Sequence, residues 1–128
     1  MRIRIKNGLP YISATLIHHS QRVTLKNVLL DTGSAGSIFS TDKVAGIGLT
    51  YEPNDFVHRI RGVGGSEFVF TKQADVLKVG DLKVAGFEIE VGAMNYGFDM
   101  DGIIGVDFLA QVGALIDLKR MELRSAKK

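Results

Sequence analysis

The sequence LLDTGS has the clearest chemical potential, because it places the carboxylate of Asp31 directly after an apolar run. Apolar residues at the end of a strand are usually buried, and a charge beside them must be paired, hydrogen-bonded or used in a reaction. An ordinary turn is one interpretation, since Asp and Gly are common turn formers. The other interpretation is a catalytic or ligand-binding loop, and the rest of the chain has to decide between them.

Three enzyme chemistries begin with an Asp after an apolar strand. Haloacid-dehalogenase-type phosphatases use Asp-x-Asp, but here Gly33 stands where the second acid is required. Actin-like ATPases carry an Asp-x-Gly phosphate loop between two large α/β domains, which 128 mostly β-patterned residues cannot supply. Aspartic proteolysis needs only a carboxylate on a rigid loop, and Gly33 would let the backbone approach that carboxylate closely.

A second motif favours aspartic proteolysis. The sequence DGIIGVDFL holds two apolar residues and a glycine, Ile103, Ile104 and Gly105, directly before a short helical pattern. A glycine-rich hairpin tip (Gly62, Val63, Gly64 and Gly65) lies between the two motifs. In this order, LLDTGS, the glycine-rich hairpin and IIG resemble the retropepsin-like aspartic proteases, over residues 11–123.

The resemblance implies an all-β fold: a closed barrel with a glycine-tipped flap hairpin and one short C-terminal helix. It implies that Asp31 is catalytic and that Thr32, Gly33 and Ser34 support its loop. By the same resemblance, Thr32 would bond across to the loop of a partner subunit. Residues 62–65 would form the substrate-binding flap, and residues 103–105 the framework of the active site.

The chemistry requires two carboxylates. Hydrolysis of a peptide bond without a metal takes one group that removes a proton from water and another that donates to the carbonyl oxygen. Two carboxylates that share one proton do both. The sequence contains a single Asp-Thr-Gly, so Asp31 must pair with its copy in a homodimer. We expect a polypeptide substrate, no cofactor and no metal.

Some details depart from the viral members. No acidic residue follows Gly33 closely, and Val106-Asp107 stands where the viral enzymes often have an Arg. The sequences GVDFL and LIDLKRMEL are more similar to cellular and bacterial members. An alternative function is a non-proteolytic dimerisation or peptide-binding module, which would have no need of the Asp31 carboxylate.

Composition limits the other classes of function. The 128 residues predict a single domain, 1–128, and 45% apolar with 23% charged residues is typical of a globular protein. The absence of cysteine excludes disulfides and permits a reducing compartment, so we expect a cytoplasmic protein. Scattered basic residues and a net charge of +2 argue against nucleic-acid binding, and no apolar run is long enough to span a membrane.

The pattern of apolar residues predicts mostly strands. We expect one hairpin from segments 11–19 and 21–30, with its turn at HHSQ, and a second from 54–62 and 66–76. Further strands are predicted at 82–94 and, as a pair that turns at Lys119-Arg120, at 114–124. One helical turn, capped by Ser40 or Thr41, is predicted within residues 40–48. A two-turn helix closed by Gly113 is predicted at 105–113.

The remaining polar and aromatic residues have ordinary interpretations. Ser37 is expected on the surface. Each of the three histidines is expected to be at the surface or half-buried. His18 and His19 either face opposite sides of a strand or lie in the turn. Phe56, Phe68 and Phe70 fit either packing in the core, which is favoured, or substrate-facing positions on the flap. Asp101 begins a weak calcium-loop pattern that lacks its later ligands. The basic ends, RIRIK and LKRMELRSAKK, are read as solvated strand faces and a frayed tail, or as edges of an interleaved dimer sheet.

Overall fold

The computed structural model describes residues 1–62, 65–95 and 99–126. Strands hold most of them, which confirms the prediction of an all-β fold. They are β1 Arg4–Lys6, β2 Leu9–His18, β3 Gln21–Leu30, β4 Ile38–Ser40, β5 Val57–Gly62, β6 Gly65–Val79, β7 Leu82–Gly92, β8 Gly102–Ile104, β9 Ala114–Asp117 and β10 Glu122–Ser125. The helical segments are short: α1 Thr41–Val44, a 3₁₀ turn Ala45–Ile47 and α2 Val106–Gln111.

The first predicted hairpin is confirmed. Strands β2 and β3 pair antiparallel, and His18 lies opposite Gln21. Only His19 and Ser20 connect them, and their φ angles are 50° and 65°. A two-residue loop with both φ angles positive has the twist that matches the twist of the flanking strands.

Eight strands form one sheet in the order β1-β2-β3-β8-β4-β7-β6-β5, and β2 also pairs with β6. Strand β8 lies between β3 and β4, parallel to β3 and antiparallel to β4. The predicted second hairpin is present as β5 and β6, and β6 continues three residues beyond its predicted end. The closed barrel that the resemblance implies stays a prediction.

The main core is apolar and lies between the strands and α2. Its most deeply buried members include Leu16, Val28 and Ile104. Helix α2 lies within the predicted segment and packs Phe108 edge-to-face against Phe87, with ring centroids 5.7 Å apart. No helix among the described residues is long and apolar enough to cross a membrane.

Two local predictions about helix ends have different outcomes. Ser40 is the N-cap residue of α1, as predicted, but its side chain makes no capping hydrogen bond. Gly113 follows α2 with a φ of 62°, the left-handed conformation that a glycine at this position adopts without a Cβ clash.

The predicted solvated strand faces are confirmed for the described residues, because Arg2, Arg4 and Arg124 are exposed, but these segments are paired rather than frayed. The N-terminal segment pairs with β10 of the same chain. The Leu123 N–H donates to the Met1 carbonyl at 2.8 Å, and the backbones of Arg2 and Glu122 form an isolated antiparallel β-bridge. Ile3 and Leu123 are fully buried. Pairing within the chain thus covers part of the edges at the two ends, and an interleaved dimer sheet stays a prediction.

Candidate active site

Strands β3 and β8 bring the two sequence motifs together. They run parallel, and Leu30 lies beside Ile104. The pairing extends one residue further, because the Asp31 N–H donates to the Ile104 carbonyl at 3.0 Å. Asp31 therefore leaves the sheet at a fixed point beside the IIG segment.

Residues 31–37, which we call the Asp31 loop, cross over the end of β8. The loop has to cross because β3 and β4 lie on opposite sides of β8. Gly105 lies directly under this crossing. A Cβ atom there would lie 2.4 Å from the Gly36 carbonyl oxygen and 2.6 Å from that of Ser34. Both obstacles are backbone atoms, so only glycine fits beneath the loop.

The Asp31 carboxylate is oriented by its own loop. Its Oδ1 accepts the Gly33 N–H at 2.9 Å, and the Ser34 N–H donates to the Asp31 carbonyl at 3.2 Å. A Cβ on Gly33 would lie 3.2 Å from Oδ1, which agrees with the close approach expected at this glycine. Ser34 Oγ donates to the Gly36 carbonyl at 2.7 Å and holds the loop from within.

Ser37 and Asp107 brace the far end of the Asp31 loop. The prediction of a surface serine is wrong, because Ser37 is 1% exposed. Its Oγ donates to Asp107 Oδ1 at 2.8 Å and accepts the Gly105 N–H at 3.0 Å. Its N–H donates to Asp107 Oδ2 at 3.1 Å. Asp107 thus ties the loop to the first turn of α2 within one chain.

Sequence reasoning noted Asp107 only as a departure from the viral pattern and missed its role. The local signal is an acid in the first turn of a predicted helix, but its contact with the distant Ser37 has no signal in the sequence. Such a carboxylate accepts backbone N–H groups, and it does so here from Phe108 at 2.9 Å.

The outer surface of the Asp31 loop is open. Asp31 is half-buried, whereas Thr32, Gly33 and Ala35 are exposed. Among the described residues there is no group of three or more side chains that could hold a metal ion. The loop thus presents one carboxylate and an exposed Thr-Gly edge to whatever lies opposite.

The β5–β6 hairpin and the Asp31 loop share a small apolar cluster. Val69 packs with Ile38, the residue that follows the loop, and with Met94. Ile60 and Ile103 pack against the same cluster. Of the predicted flap residues, Gly62 and Gly65 pair with each other, and Val63 and Gly64 lie outside the described residues.

Two carboxylates anchor the base of this hairpin. His58 on β5 forms an ion pair with Glu90 on β7, and Glu67 Oε2 on β6 accepts the Met94 N–H at 3.1 Å. The Glu90 N–H donates to the Ser37 carbonyl at 2.9 Å, so Glu90 touches both the hairpin and the Asp31 loop. His58 is half-buried, as predicted, and Glu90 connects it to the Ser37 end of the Asp31 loop.

The aromatic residues in and beside the hairpin differ in exposure. Phe70 packs on the core, as predicted, and meets Tyr51 edge-to-face. Phe56 and Phe68 are 72% and 65% exposed, so their predicted place in the core is wrong. The physical reason is that Phe68 lies opposite Arg59 on a face with no layer above it among the described residues.

A buried lysine fixes the loop that leads into the hairpin. The side chain of Lys72 is 9% exposed, and its Nζ donates to Glu52 Oε1 at 2.7 Å and to Asp55 Oδ2 at 3.0 Å. Burial opposes the charge on Lys72, but hydrogen bonds to Glu52 and Asp55 outweigh it and raise the lysine pKa. Burial likewise works against ionised Asp55, yet the Glu52 N–H and the Lys72 ammonium hold the pKa of Asp55 below its usual value.

His18 and Asp101 both lie in buried positions. His18 is buried rather than at the surface, and its ring stacks on that of His19, with centroids 3.9 Å apart. Burial, followed by the neighbouring His19, lowers the pKa of His18, and Asp75 opposes the shift only in part. Asp101 is also buried; it accepts the Asn27 N–H at 3.1 Å and faces Lys43 at 3.6 Å, so it joins β3 to α1.

Comparison with known proteins gives a family for the chain. Residues 17–108 match the family model described as aspartyl protease, and this span includes the Asp31 loop, the β5–β6 hairpin and Gly105. A search of curated proteins finds no match.

Proposed function

Because the chain belongs to the aspartyl protease family, we propose that it is an endopeptidase that acts as a homodimer, with one Asp31 from each subunit. The observation that carries the proposal is the Asp31 loop itself. Its carboxylate is held by Gly33 on one side and its backbone by Ile104 on the other. A peptide-binding module would gain nothing from a half-buried carboxylate positioned in this way.

The proposed reaction uses both carboxylates on one water molecule. One Asp31 removes a proton from the water as it attacks the peptide carbonyl carbon, and the other donates a proton to the carbonyl oxygen. The C–N bond then breaks as the nitrogen is protonated. A single chain supplies one carboxylate, so the second subunit completes the site.

The exposed edge of the Asp31 loop supports the dimer proposal. Thr32, Gly33 and Ala35 face outward from the chain. In the proposed dimer these residues meet the same residues of the partner across the two-fold axis. We assign Thr32 to a hydrogen bond with the partner loop, and Ser34 to the support of its own loop.

The substrate would lie between the Asp31 loop and the β5–β6 hairpin. We propose that residues 62–65 cover it as a flap and that its main chain hydrogen-bonds as an added strand. The apolar cluster around Ile38, Val69 and Ile103 borders this space. Residues 1–128 act as one domain in this proposal.

Replacement of the carboxylate tests the proposal. Asp31→Asn keeps the shape of the side chain and removes the base, so we expect cleavage of a denatured protein to be lost and the melting temperature to stay near that of the parent. Asp42→Asn is the matched control, since Asp42 is exposed on α1 away from the loop. Fragments are identified by mass spectrometry. Normal turnover by Asp31→Asn would overturn the mechanism.

Mixing the subunits tests the shared site. When parent protein exchanges with a threefold excess of Asp31→Asn, random pairing leaves about a quarter of the parent homodimers. Activity per parent chain should fall in proportion to the parent homodimers that remain. The same excess of Asp42→Asn should not lower it. Unchanged activity in the first mixture would show that each chain works alone.

A further inference from the structure

A basic groove lies on the outer face of the sheet, across β3, β2, β6 and β7. Its volume is ≈ 450 Å³. Its lining includes Arg22, Lys78 and Lys83, together with the hydroxyl groups of Ser13, Thr15 and Thr24. None of the described residues that line it is acidic.

The register of the strands places the polar residues of this groove in a single row. Thr24 lies opposite Thr15, Thr15 opposite Lys78, and Lys78 opposite Lys83. The two threonine hydroxyls share a hydrogen bond of 3.0 Å. Arg22 stands one row away, opposite Ile17. The row therefore leads from paired hydroxyls to paired ammonium groups on one surface.

The lysine pair is electrostatically unfavourable in isolation. Like charges directly opposite each other in an antiparallel pair destabilise a sheet, and their Cβ atoms lie about 5 Å apart. Across residues 1–62, 65–95 and 99–126, neither lysine forms a salt bridge with a carboxylate, and Arg22 forms none either. Some other lysines of the chain do form such pairs, as Lys43 does with Asp101 and Lys6 with Asp99. Two neighbouring lysines without carboxylate partners in a groove can attract an anion from solution.

We propose that this groove binds a phosphate group. A phosphate monoester carries about 1.5 to 2 negative charges and three acceptor oxygens, which suits three cations better than a single carboxylate does. Lysine binds phosphate as a point charge, and arginine binds it through two parallel N–H donors. The threonine hydroxyls add a neutral donor. The groove is formed by the face of the sheet and not by the Asp31 loop, so it is a second site.

The binding test uses two sources of the same group, inorganic phosphate and a phosphoserine peptide. Backbone amide signals are followed by NMR during each titration at constant ionic strength, with the unphosphorylated peptide as reference. We expect saturable shifts for residues of β2, β6 and β7 around Thr15, Lys78 and Lys83. Tighter binding of the peptide would identify the source as a phosphorylated chain, and equal affinity would identify free phosphate.

The variant Lys78→Gln/Lys83→Gln separates a site from general attraction. We expect at least a tenfold weaker affinity for phosphate in this variant. Lys119→Gln/Arg120→Gln removes the same charge from an exposed turn and should keep the affinity within twofold. Absence of saturable shifts, an equal loss in both double variants, or tight binding of an Asp-rich peptide but not of phosphate would overturn the proposal.

Thermal unfolding provides an independent readout. Without phosphate, Lys78→Gln/Lys83→Gln should melt at or above the temperature of the parent, because a like-charge pair has been removed. Phosphate should raise the melting temperature of the parent and leave that of the double variant unchanged. A double variant that melts below the parent without phosphate would show that the lysines stabilise the fold itself, which contradicts the proposal.

Discussion

At the scale of single residues, Ser37 is as important to the Asp31 loop as the residues beside the carboxylate. Its hydroxyl bonds both Gly105 and Asp107, and its N–H bonds Asp107 as well. The hydrogen bond between the Gly105 N–H and the Ser37 hydroxyl is buried, so each of these two groups needs its partner. The loop is therefore positioned from both ends, by Ile104 at Asp31 and by Asp107 at Ser37.

Ser37→Ala should destabilise the protein and impair the site together. Removal of Oγ leaves the buried Gly105 N–H without its acceptor, which costs about 1–3 kcal/mol. We expect unfolding at lower urea concentration and a reduced kcat. Ser37→Thr keeps the hydroxyl and should restore part of both losses. Wild-type stability in Ser37→Ala would show that the hydroxyl is dispensable.

Gly105→Ala tests the crossing beneath the loop. Its Cβ meets two backbone carbonyl oxygens that cannot move independently of the loop. Overpacking of this kind costs about 1–3 kcal/mol, and we expect the upper end here. Gly46→Ala is the control, because a Cβ at position 46 meets no atom within 4 Å. Equal denaturation midpoints for the two variants would contradict the geometry.

His18 makes stability depend on pH. Its pKa is lowered in the folded protein, chiefly by burial, so the unfolded chain binds the proton more readily. The stability associated with neutral His18 is present above its ordinary value of 6.5 and decreases as pH falls below it. His18→Phe keeps a ring against His19 and should flatten the free energy of unfolding between pH 7 and 5, whereas His19→Asn should retain the decrease. Identical slopes in all three proteins would exclude this role for His18.

At the scale of elements, the β2–β3 hairpin carries a conformational cost at its tip. His19 and Ser20 both have positive φ, which is unfavourable for residues with a Cβ. Ser20→Gly relieves this cost, and we expect a gain of about 1 kcal/mol in the free energy of unfolding. Ser20→Ala, which retains the Cβ, should give no gain. A melting temperature that falls in Ser20→Gly would contradict the type of turn observed.

Sequence reasoning was most successful where local patterns determine structure. The turn at His19-Ser20, the β5–β6 hairpin and α2 each have a signal within a dozen residues. The long-range pairings had none: nothing near Ser37 indicates that Gly105 will lie beneath it, and nothing near Met1 indicates pairing with Leu123. The prediction of a core position for Phe56 and Phe68 failed because alternating aromatic residues give the same sequence pattern whether or not another layer of the protein covers that face of the strand.

The candidate site divides in the same way. Asp31 and Gly33 could be selected because the proposed chemistry demands those residue types, and Gly105 because the IIG motif resembles the family's. Asp107 and Glu90 could not, since their contribution depends on neighbours that are distant in sequence. Residue type identified the candidate catalytic carboxylate, while the topology determined which side chains hold its loop in place.

At the scale of the whole molecule, the exposed edge of the Asp31 loop leads to a prediction about concentration. If two loops complete one site, activity per chain should fall as the protein is diluted through its dimer dissociation constant. Thr32→Ala should move this midpoint to higher concentration without lowering the melting temperature of the monomer, because Thr32 is exposed in the single chain. Sedimentation and activity are measured on the same dilution series. Full activity of a monomer would refute the shared site.

The crossing of the Asp31 loop over β8 also bears on how the chain is made. Ser37 and Asp107 are 70 residues apart, and a ribosome needs on the order of 10 s to add that many. Until then Asp31 lacks the Ile104 carbonyl that fixes its backbone and the α2 turn that braces its loop. We therefore expect a nascent chain that has not yet reached α2 to lack the contacts that position the Asp31 carboxylate, so that the proposed proteolytic activity cannot begin before α2 has been synthesised.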